Sequence, residues 1–346
     1  MEAITHSSIL SFKTCRQRYQ FRYEMGLVPK ARPVYFDLGS AIHLALEMWY
    51  AGKTDLEIDA AIVEYFEDNQ PAADDIERLA KFDEASRMAP MIWRRYRDQY
   101  PRGSEQFKVI ATEVEFELPI VNPETGARSQ TFTIAGKMDG IVRDTRNGTL
   151  WVLEHKTTAA LTGLYKKRLT LDAQSLLYVE AAERKYGEPI AGVLYNVIVK
   201  AVPHYPKLLK NGELSRDKNQ ITTPELYRQA ILDNCLNEAD YAGFLAELEG
   251  RRREYFYREV LTFSEQDREQ WREELWDIAK DIRQAKLNER WYRNTSQCAP
   301  TGGSVCAYFD VCTACDKRAV IEASFTKAER LHTELEGEDT AIKGAA

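Results

Sequence analysis

The sequence predicts an α/β fold in which a central mixed β-sheet is flanked by helices. Three observations predict it: period-two patterns between residues 109 and 156, a helix and an apolar strand directly after them, and helical periodicity over most of the remaining chain. The length of 346 residues suits roughly two domains, or one enlarged α/β domain. The composition is that of a folded chain, 44% hydrophobic and 29% charged, with a mean hydropathy of -0.48. Collagen-like, mucin-like and wholly disordered classes are excluded. No run approaches the roughly 18 apolar residues of a membrane span. The opening residues MEAITHSSILSFKTC lack the apolar centre of a secretory signal. The expectation is a cytoplasmic protein with no membrane partner.

Taken in order, residues 7–28 read as a short amphipathic helix, with Leu10, Phe12, Tyr19 and Phe21 among basic residues. Residues 36–50 form a second helix, apolar over much of its surface, and 54–69 and 72–100 two more, the last stopped by Tyr100-Pro101-Arg102-Gly103. Residues 109–120 alternate as a half-buried strand does. A turn at 122–126 leads to a second strand at 130–143, and Thr145-Arg146-Asn147-Gly148 makes a hairpin with a third at 149–156. A helix at about 170–186 and an apolar strand at 191–200 follow. Residues 203–223 are loop-like, 224–248 helical, 254–263 β-rich, and 265–290 one long helix. A cysteine-rich segment precedes a final helix near 319–335. The organisation expected is an N-terminal helical region (1–108), a core (109–202), an insertion of loop and helices (203–253), the remaining core strand, long helix and cysteines (254–335), and a flexible tail (336–346).

The net charge of -7, from 47 basic and 54 acidic residues, excludes a histone-like coat of nucleic acid but not a local basic groove. Basic residues cluster at Arg94, Arg95 and Arg97, at Lys166, Lys167 and Arg168, from Lys207 to Lys218, and from Arg251 to Arg253. Any one such cluster is ordinarily a solvated helix face or loop. Aromatic and basic residues interleave in RQRYQFRYE and WRRYRDQY, which suits tracking of a single strand by stacking plus charge. The competing reading is that these aromatics fill the helical core.

The second and third strands carry the most informative residues. Their hairpin can bring Asp139 beside Glu154, and Glu154 and Lys156, two apart on a strand, face the same way. Two carboxylates and an ammonium amid apolar neighbours suit metal-assisted phosphodiester hydrolysis. Carboxylate oxygens hold Mg²⁺ or Mn²⁺, and the carbonyl of His155 could add another ligand. The metal activates the attacking water, and a lysine positions that water or offsets charge in the transition state. Taken alone, Glu-x-Lys is a weak motif, because charged alternation on strands is common.

Six cysteines in a cytosolic chain do not suggest disulfides. Cys298, Cys306, Cys312 and Cys315 crowd the C-terminal part, and by spacing alone they would form a local structural Zn²⁺ site. Cys235 is most simply a buried thiol.

Six segments occur in a telling order. They are Ser7-x-Ile9-x-x-Phe12-x-x-Cys15-x-x-x-Tyr19, Gly39-x-x-x-His43, Gly136-x-x-Asp139, Glu154-x-Lys156, Gln174-x-x-x-Tyr178, and Cys306-x-x-x-x-x-Cys312 preceded by Cys298. In that order the sequence resembles the PD-(D/E)xK nuclease superfamily, and within it the RecB-like branch with an iron–sulfur clasp. That branch includes CRISPR-associated RecB-like exonucleases and the nuclease domains of AddB-type helicase–nucleases. The resemblance implies a restriction-endonuclease-like core with a C-terminal cysteine-rich clasp. It implies metal ligation by His43, Asp139 and Glu154, with Lys156 catalytic, and Gln174 and Tyr178 contacting the DNA backbone or organising the site. It also implies a 4Fe-4S cluster on Cys15, Cys298, Cys306 and Cys312, joining the first helix to the last segment. Arg16 stands where the family commonly has proline, the gap from Cys298 to Cys306 is long, and Cys315 is an extra thiol.

The function implied is a metal-dependent DNA exonuclease acting on ends or single strands, in recombination, repair, phage replication or spacer processing. Two other classes compete: a non-catalytic DNA-binding or scaffold protein with a decayed nuclease fold, and a structure-specific or restriction-type endonuclease. Intact Asp139, Glu154 and Lys156 argue against decay. No Walker A motif is present, so any helicase motor would come from a partner.

Overall fold

A computed structural model describes residues 1–30, 35–71, 75–250, 254–300, 303–332 and 335. The first half contains β1 (Glu2–Thr5), α1 (His6–Thr14), α2 (Arg16–Tyr19, continued by a π-helical turn), β2 (Leu27–Pro29), α3 (Tyr35–Tyr50), α4 (Asp55–Asp68) and α5 (Ile76–Gln99). Next come β3 (Phe107–Val121), β4 (Arg128–Asp144), β5 (Leu150–Thr158), α6 (Gly163–Leu169), α7 (Ala173–Tyr186) and β6 (Ile190–Val199). The remainder contains α8 (Pro224–Asp233), α9 (Ala242–Gly250), β7 (Phe256–Leu261), α10 (Glu265–Asn288), α11 (Phe309–Thr313), α12 (Lys317–Ser324) and β8 (Phe325–Lys327). Helix starts follow local chemistry: Thr5 with Ser8, Thr54 with Glu57, and Ser264 with Asp267 form reciprocal capping boxes on α1, α4 and α10. Helix α7 stops at Gly187, which takes the left-handed conformation that glycine adopts without a Cβ penalty.

The sheet is mixed, and its main feature is how the two edges of β4 are used. Along one edge β3 pairs from Phe107 opposite Asp144 to Val121 opposite Arg128. The other edge is shared. Strand β1 runs parallel to Phe132–Ala135, and β5 runs antiparallel to Gly140–Arg143. Between them, residues 136–139 have no strand neighbour on that edge among the described residues. Strand β6 then lies parallel to β5, and β7 antiparallel to β6.

Apolar layers cover both faces. Ile42, Leu46, Trp49 and Trp93 from α3 and α5 pack against Val142, Leu153 and Ile198. Leu177, Ala181, Leu275 and Ile282 from α7 and α10 pack in the same core as Ile141, Val152 and Val193 on the other face. Because neighbouring residues of a strand point to opposite faces, Val152 and Leu153 fix the aim of the rest of β5. Glu154 and Lys156 point to the α7 side, and His155 to the α3 side.

The expected α/β class, the mixed sheet and the principal helices are present, with several differences. The helix expected over 7–28 is interrupted at Cys15, whose backbone is extended, and ends in β2. The final helix ends at Ser324, and β8 then pairs antiparallel with β2. This short ladder, with Phe21, Leu27, Tyr308, Val311 and Phe325 packed around it, joins the two ends of the chain. Strand β1 and helix α6 were not expected. Cys235 is exposed rather than buried: it lies in the turn just beyond α8, outside the small core that α8 buries. The aromatics of RQRYQFRYE and WRRYRDQY serve the core: Tyr19, Phe21, Tyr23, Trp93 and Tyr96 are all buried. They are too large and apolar to leave in water while a core is available. Helices α8 and α9 share a small core around Tyr227, Ile231, Tyr241 and Phe244. Arg251–Arg253 and the tail at 336–346 lie outside the described residues.

Candidate active site

The unpaired stretch of β4 is where the acidic motifs meet. Gly140 is the last residue of β4 paired with β5, opposite Leu153. Beyond it Asp139 Oδ2 accepts the backbone N–H of His155 at 2.6 Å, so a side chain replaces the missing ladder bond. Glu154 is buried, and its Oε1 accepts from Lys156 Nζ at 2.8 Å. Its Oε2 is buried with no hydrogen-bond partner. Burial pushes both carboxyls well above the ordinary carboxylate range; Glu113 raises Asp139 further and Asp139 raises Glu154, while the His155 N–H and the Lys156 ammonium oppose this. Lys156 stays charged although burial works against it, because Glu154 and Asp172 hold its pKa above the usual lysine value.

Helix α7 supplies the frame for the lysine. Lys156 Nζ donates to Gln174 Oε1 at 2.5 Å, Gln174 Nε2 donates to the Tyr178 hydroxyl at 2.7 Å, and Tyr178 donates to the Lys137 carbonyl at 2.7 Å. Gln174 and Tyr178 lie one turn apart on the same helix face. The relay ends on the unpaired edge of β4. Gly136 is required beside it: a Cβ there would meet the Phe116 ring at 2.5 Å, and that ring packs edge-on against Tyr178 at 5.8 Å.

The histidines are placed differently. His155 turns its ring to the α3 side, stacked on Tyr50 at 5.1 Å, with Nδ1 2.9 Å from Asn196 Nδ2. Only its backbone is on the carboxylate side. His43 on α3 lies 6.4 Å from the His155 ring, and its pKa falls to about 4 through burial and the charge of Lys156. Gly39, one turn earlier, lets α3 approach β5: a Cβ would stand 3.3 Å from Thr157 Oγ1. Among the described residues, no group of three or more His, Cys, Asp or Glu is arranged to hold a metal ion. Asp139 and Glu154 meet at the gap, while His43 stands on the α3 side beside the His155 ring.

A model of the PD-(D/E)XK nuclease superfamily matches residues 3–313. The chain belongs to that superfamily. No curated protein matches it. Among solved structures, a "Putative exonuclease" from Eubacterium rectale is similar over 77% of this chain and 87% of that one, at 14% identity and a TM-score of 0.33. Members of the PD-(D/E)XK superfamily generally use Mg²⁺ or Mn²⁺.

Two residues that reach the carboxylate–lysine cluster, Asp172 and His6, were not singled out from sequence. Asp172 caps α7 by accepting from Gln174 N at 3.0 Å, accepts the Tyr195 hydroxyl at 3.0 Å, and faces Lys156 at 3.6 Å. An Asp before a helix was a readable cap signal, but its reach to Lys156 depends on the tertiary fold. His6 stands 3.9 Å from the same carboxylate. Glu113, opposite Asp139 across β3 and β4, pairs with Lys137 at a φ of 50°. In the sequence Glu113 is only a further acid on the first strand; left-handed backbone at a non-glycine residue is strain that the surrounding structure must hold.

The four cysteines expected as cluster ligands are half-buried near one another, whereas Cys315 is exposed. Burial raises the Cys312 thiol pKa, and the neighbouring Cys306, Cys15 and Cys298 raise it further.

Proposed function

We propose that this protein is a metal-dependent deoxyribonuclease that digests DNA from its ends, of the RecB-like kind. One observation carries the reading: Asp139 and Glu154 are buried together at a gap in the sheet, with Glu154 Oε2 left without a partner beside Lys156. Two buried carboxyls and an orphaned oxygen are costly unless a cation joins them. The two carboxylates and the His155 carbonyl are hard oxygen donors, which suit Mg²⁺ or Mn²⁺. Asp139, Glu154 and the His155 carbonyl would hold the ion, with His43 approaching from α3. When bound, it would supply Lewis-acid stabilisation and lower the pKa of water.

The remaining work falls to the chain. Glu154, Gln174 and Asp172 fix the Lys156 ammonium in one place, where it can orient a water or offset charge on the phosphate. Gln174 and Tyr178 act through Lys156, as positioning residues. Cys15, Cys298, Cys306 and Cys312 would hold a 4Fe-4S cluster whose task is to tie the ends of the chain. The mutual influence of these four thiols, with Cys315 exposed, supports them over a local zinc set.

The test is digestion of end-labelled linear and covalently closed circular DNA with Mg²⁺ or Mn²⁺. Loss of linear DNA with circular DNA intact is the expected result. Cleavage of both would make the protein an endonuclease, and cleavage of neither would remove the nuclease reading.

A further inference from the structure

The face of the sheet turned to α3 carries one polar row in an otherwise apolar layer. His155, Asn196 and Arg258 stand directly opposite one another on β5, β6 and β7. Leu194 and Ile198, the next residues of β6 on that face, belong to the apolar layer. Asn196 is fully buried; its Nδ2 lies 2.9 Å from His155 Nδ1 and donates to the Tyr96 hydroxyl at 2.8 Å. The Tyr96 and Tyr50 hydroxyls are 2.7 Å apart, and Arg258 donates to them at 3.4 and 3.2 Å. Arg258 in turn holds Glu105 through both terminal nitrogens. The Tyr50 ring, stacked on His155, closes the circuit.

Stability alone does not account for this row. Apolar side chains of the same volume would fill the layer without taking an ion pair out of water, and such exchanges are often neutral or stabilising. What the row does is hold the His155 ring from β6, α3 and α5 at once. His155 lies just where β5 loses its strand neighbour on the β4 side, the last pair being Gly140 with Leu153. In the space left there, its backbone N–H holds Asp139 at 2.6 Å. Its carbonyl is one of the three oxygens assigned above to the ion.

We propose that Asn196 and Tyr96 are positioning residues for the metal site: by holding the His155 ring on the α3 face, they hold the His155 backbone on the carboxylate face. The proposal rests on the metal-dependent nuclease reading and adds to it a set of supports on the opposite side of the sheet. Removing a polar group that orients a metal-holding residue typically costs tenfold to a hundredfold in metal affinity, about 10–100-fold. Both side chains act through His155 and stand on the α3 face, so their loss should reach the metal and not the binding of DNA.

The experiment counts free Mn²⁺ by electron paramagnetic resonance in titrations without DNA, following the binding that Asp139→Ala abolishes. Asn196→Leu should weaken that binding about tenfold. Tyr96→Phe keeps its ring in the core, so it preserves the test if Asn196→Leu does not fold, and it should weaken binding in the same direction by less. The double variant should bind no worse than Asn196→Leu alone, because both changes act through one ring. At saturating Mn²⁺ cleavage should return toward the wild-type rate, with KM for DNA unchanged. Ile92→Ala empties buried volume in the same layer without touching the row, so it lowers stability but should keep wild-type affinity for Mn²⁺. Wild-type affinity in both row variants, or an equal loss in Ile92→Ala, overturns the positioning role and leaves the nuclease reading in place. A wild-type protein that holds no Mn²⁺ at Asp139 overturns both. Affinities that change as expected in a protein that cleaves no DNA overturn the nuclease reading and keep the positioning role.

Discussion

The hydroxyl of Tyr178 donates to the carbonyl of Lys137 at 2.7 Å, so a helix side chain takes the place of a missing strand neighbour on β4. The two strands that share this edge stop short of each other at Ala135 and Gly140. The gap is what admits Asp139, Glu154 and Lys156 to one place, but it leaves backbone groups to be satisfied. Tyr178 and Asp139 satisfy two of them. The same tyrosine accepts from Gln174, so the geometry of the gap and the position of the lysine are coupled.

Tyr178→Phe should therefore affect stability and turnover together. The ring still packs on Phe116, but one carbonyl and one amide lose their partner. The expected destabilisation is about 1–2 kcal/mol, read from urea unfolding. The value of kcat should fall more than KM rises, because Lys156 loses its frame. A variant with wild-type kcat would remove Tyr178 from the relay.

Asp139→Ala and Lys156→Ala should each abolish DNA cleavage, by at least about a hundredfold, with the melting profile still cooperative. Removing Lys156 leaves Glu154 buried without its countercharge, so this variant should also be the less stable of the two. Either purified variant cutting linear DNA near the wild-type rate would exclude that residue from the mechanism.

Asp139, Glu154 and Lys156 are legible in the sequence because a short hairpin and period-two spacing place them together, whereas Gln174 and Tyr178 are singled out only by the family resemblance. The relationships that the sequence does not show are set by topology. Nothing local says that β1 stops at Thr5, opposite Ala135, that Asp172 reaches across to Lys156, or that His6 comes within 3.9 Å of Asp172. The same limit explains β1 and β8, which are too short to show period-two alternation and gain their partners from the far end of the chain. The buried aromatics show a different failure. Interleaving with arginine marks a helix with one wet face, and charge pattern cannot tell whether the other face meets bases or a core.

The buried carboxyls also make stability depend on pH and on metal. Asp139 and Glu154 keep their protons in the folded protein to higher pH than in the unfolded chain. The folded state then binds more protons than the unfolded state above the ordinary carboxylate range, about pH 4, and stability falls as pH rises through the folded pKa values. In EDTA the melting temperature should drop over that window, and Asp139→Asn with Glu154→Gln should flatten the drop. Mg²⁺ or Mn²⁺ should restore stability at high pH in the wild-type protein only, since a ligand that binds only the folded state stabilises it. A metal-free melting temperature that rises with pH equally in both proteins would show that these carboxyls are ionised without penalty.

The cysteines separate two structural metals. If Cys15, Cys298, Cys306 and Cys312 hold an iron–sulfur cluster, anaerobically purified protein is brown and contains iron and sulfide. Cys15→Ser should then lose the colour and melt at lower temperature. The link between the first helices and the C-terminal segment would fall back on the β2–β8 ladder and the Tyr308 hydroxyl, which donates to the Leu27 carbonyl at 2.8 Å. Cys315→Ser should change little, since Cys315 is exposed and is not among the thiols that raise the Cys312 pKa. Under the zinc alternative the outcomes reverse, with Cys315 required and Cys15 dispensable. Colourless anaerobic protein with one zinc and no iron would decide for zinc. It would leave the nuclease reading intact, because that reading rests on the carboxylates and the lysine at the gap in β4.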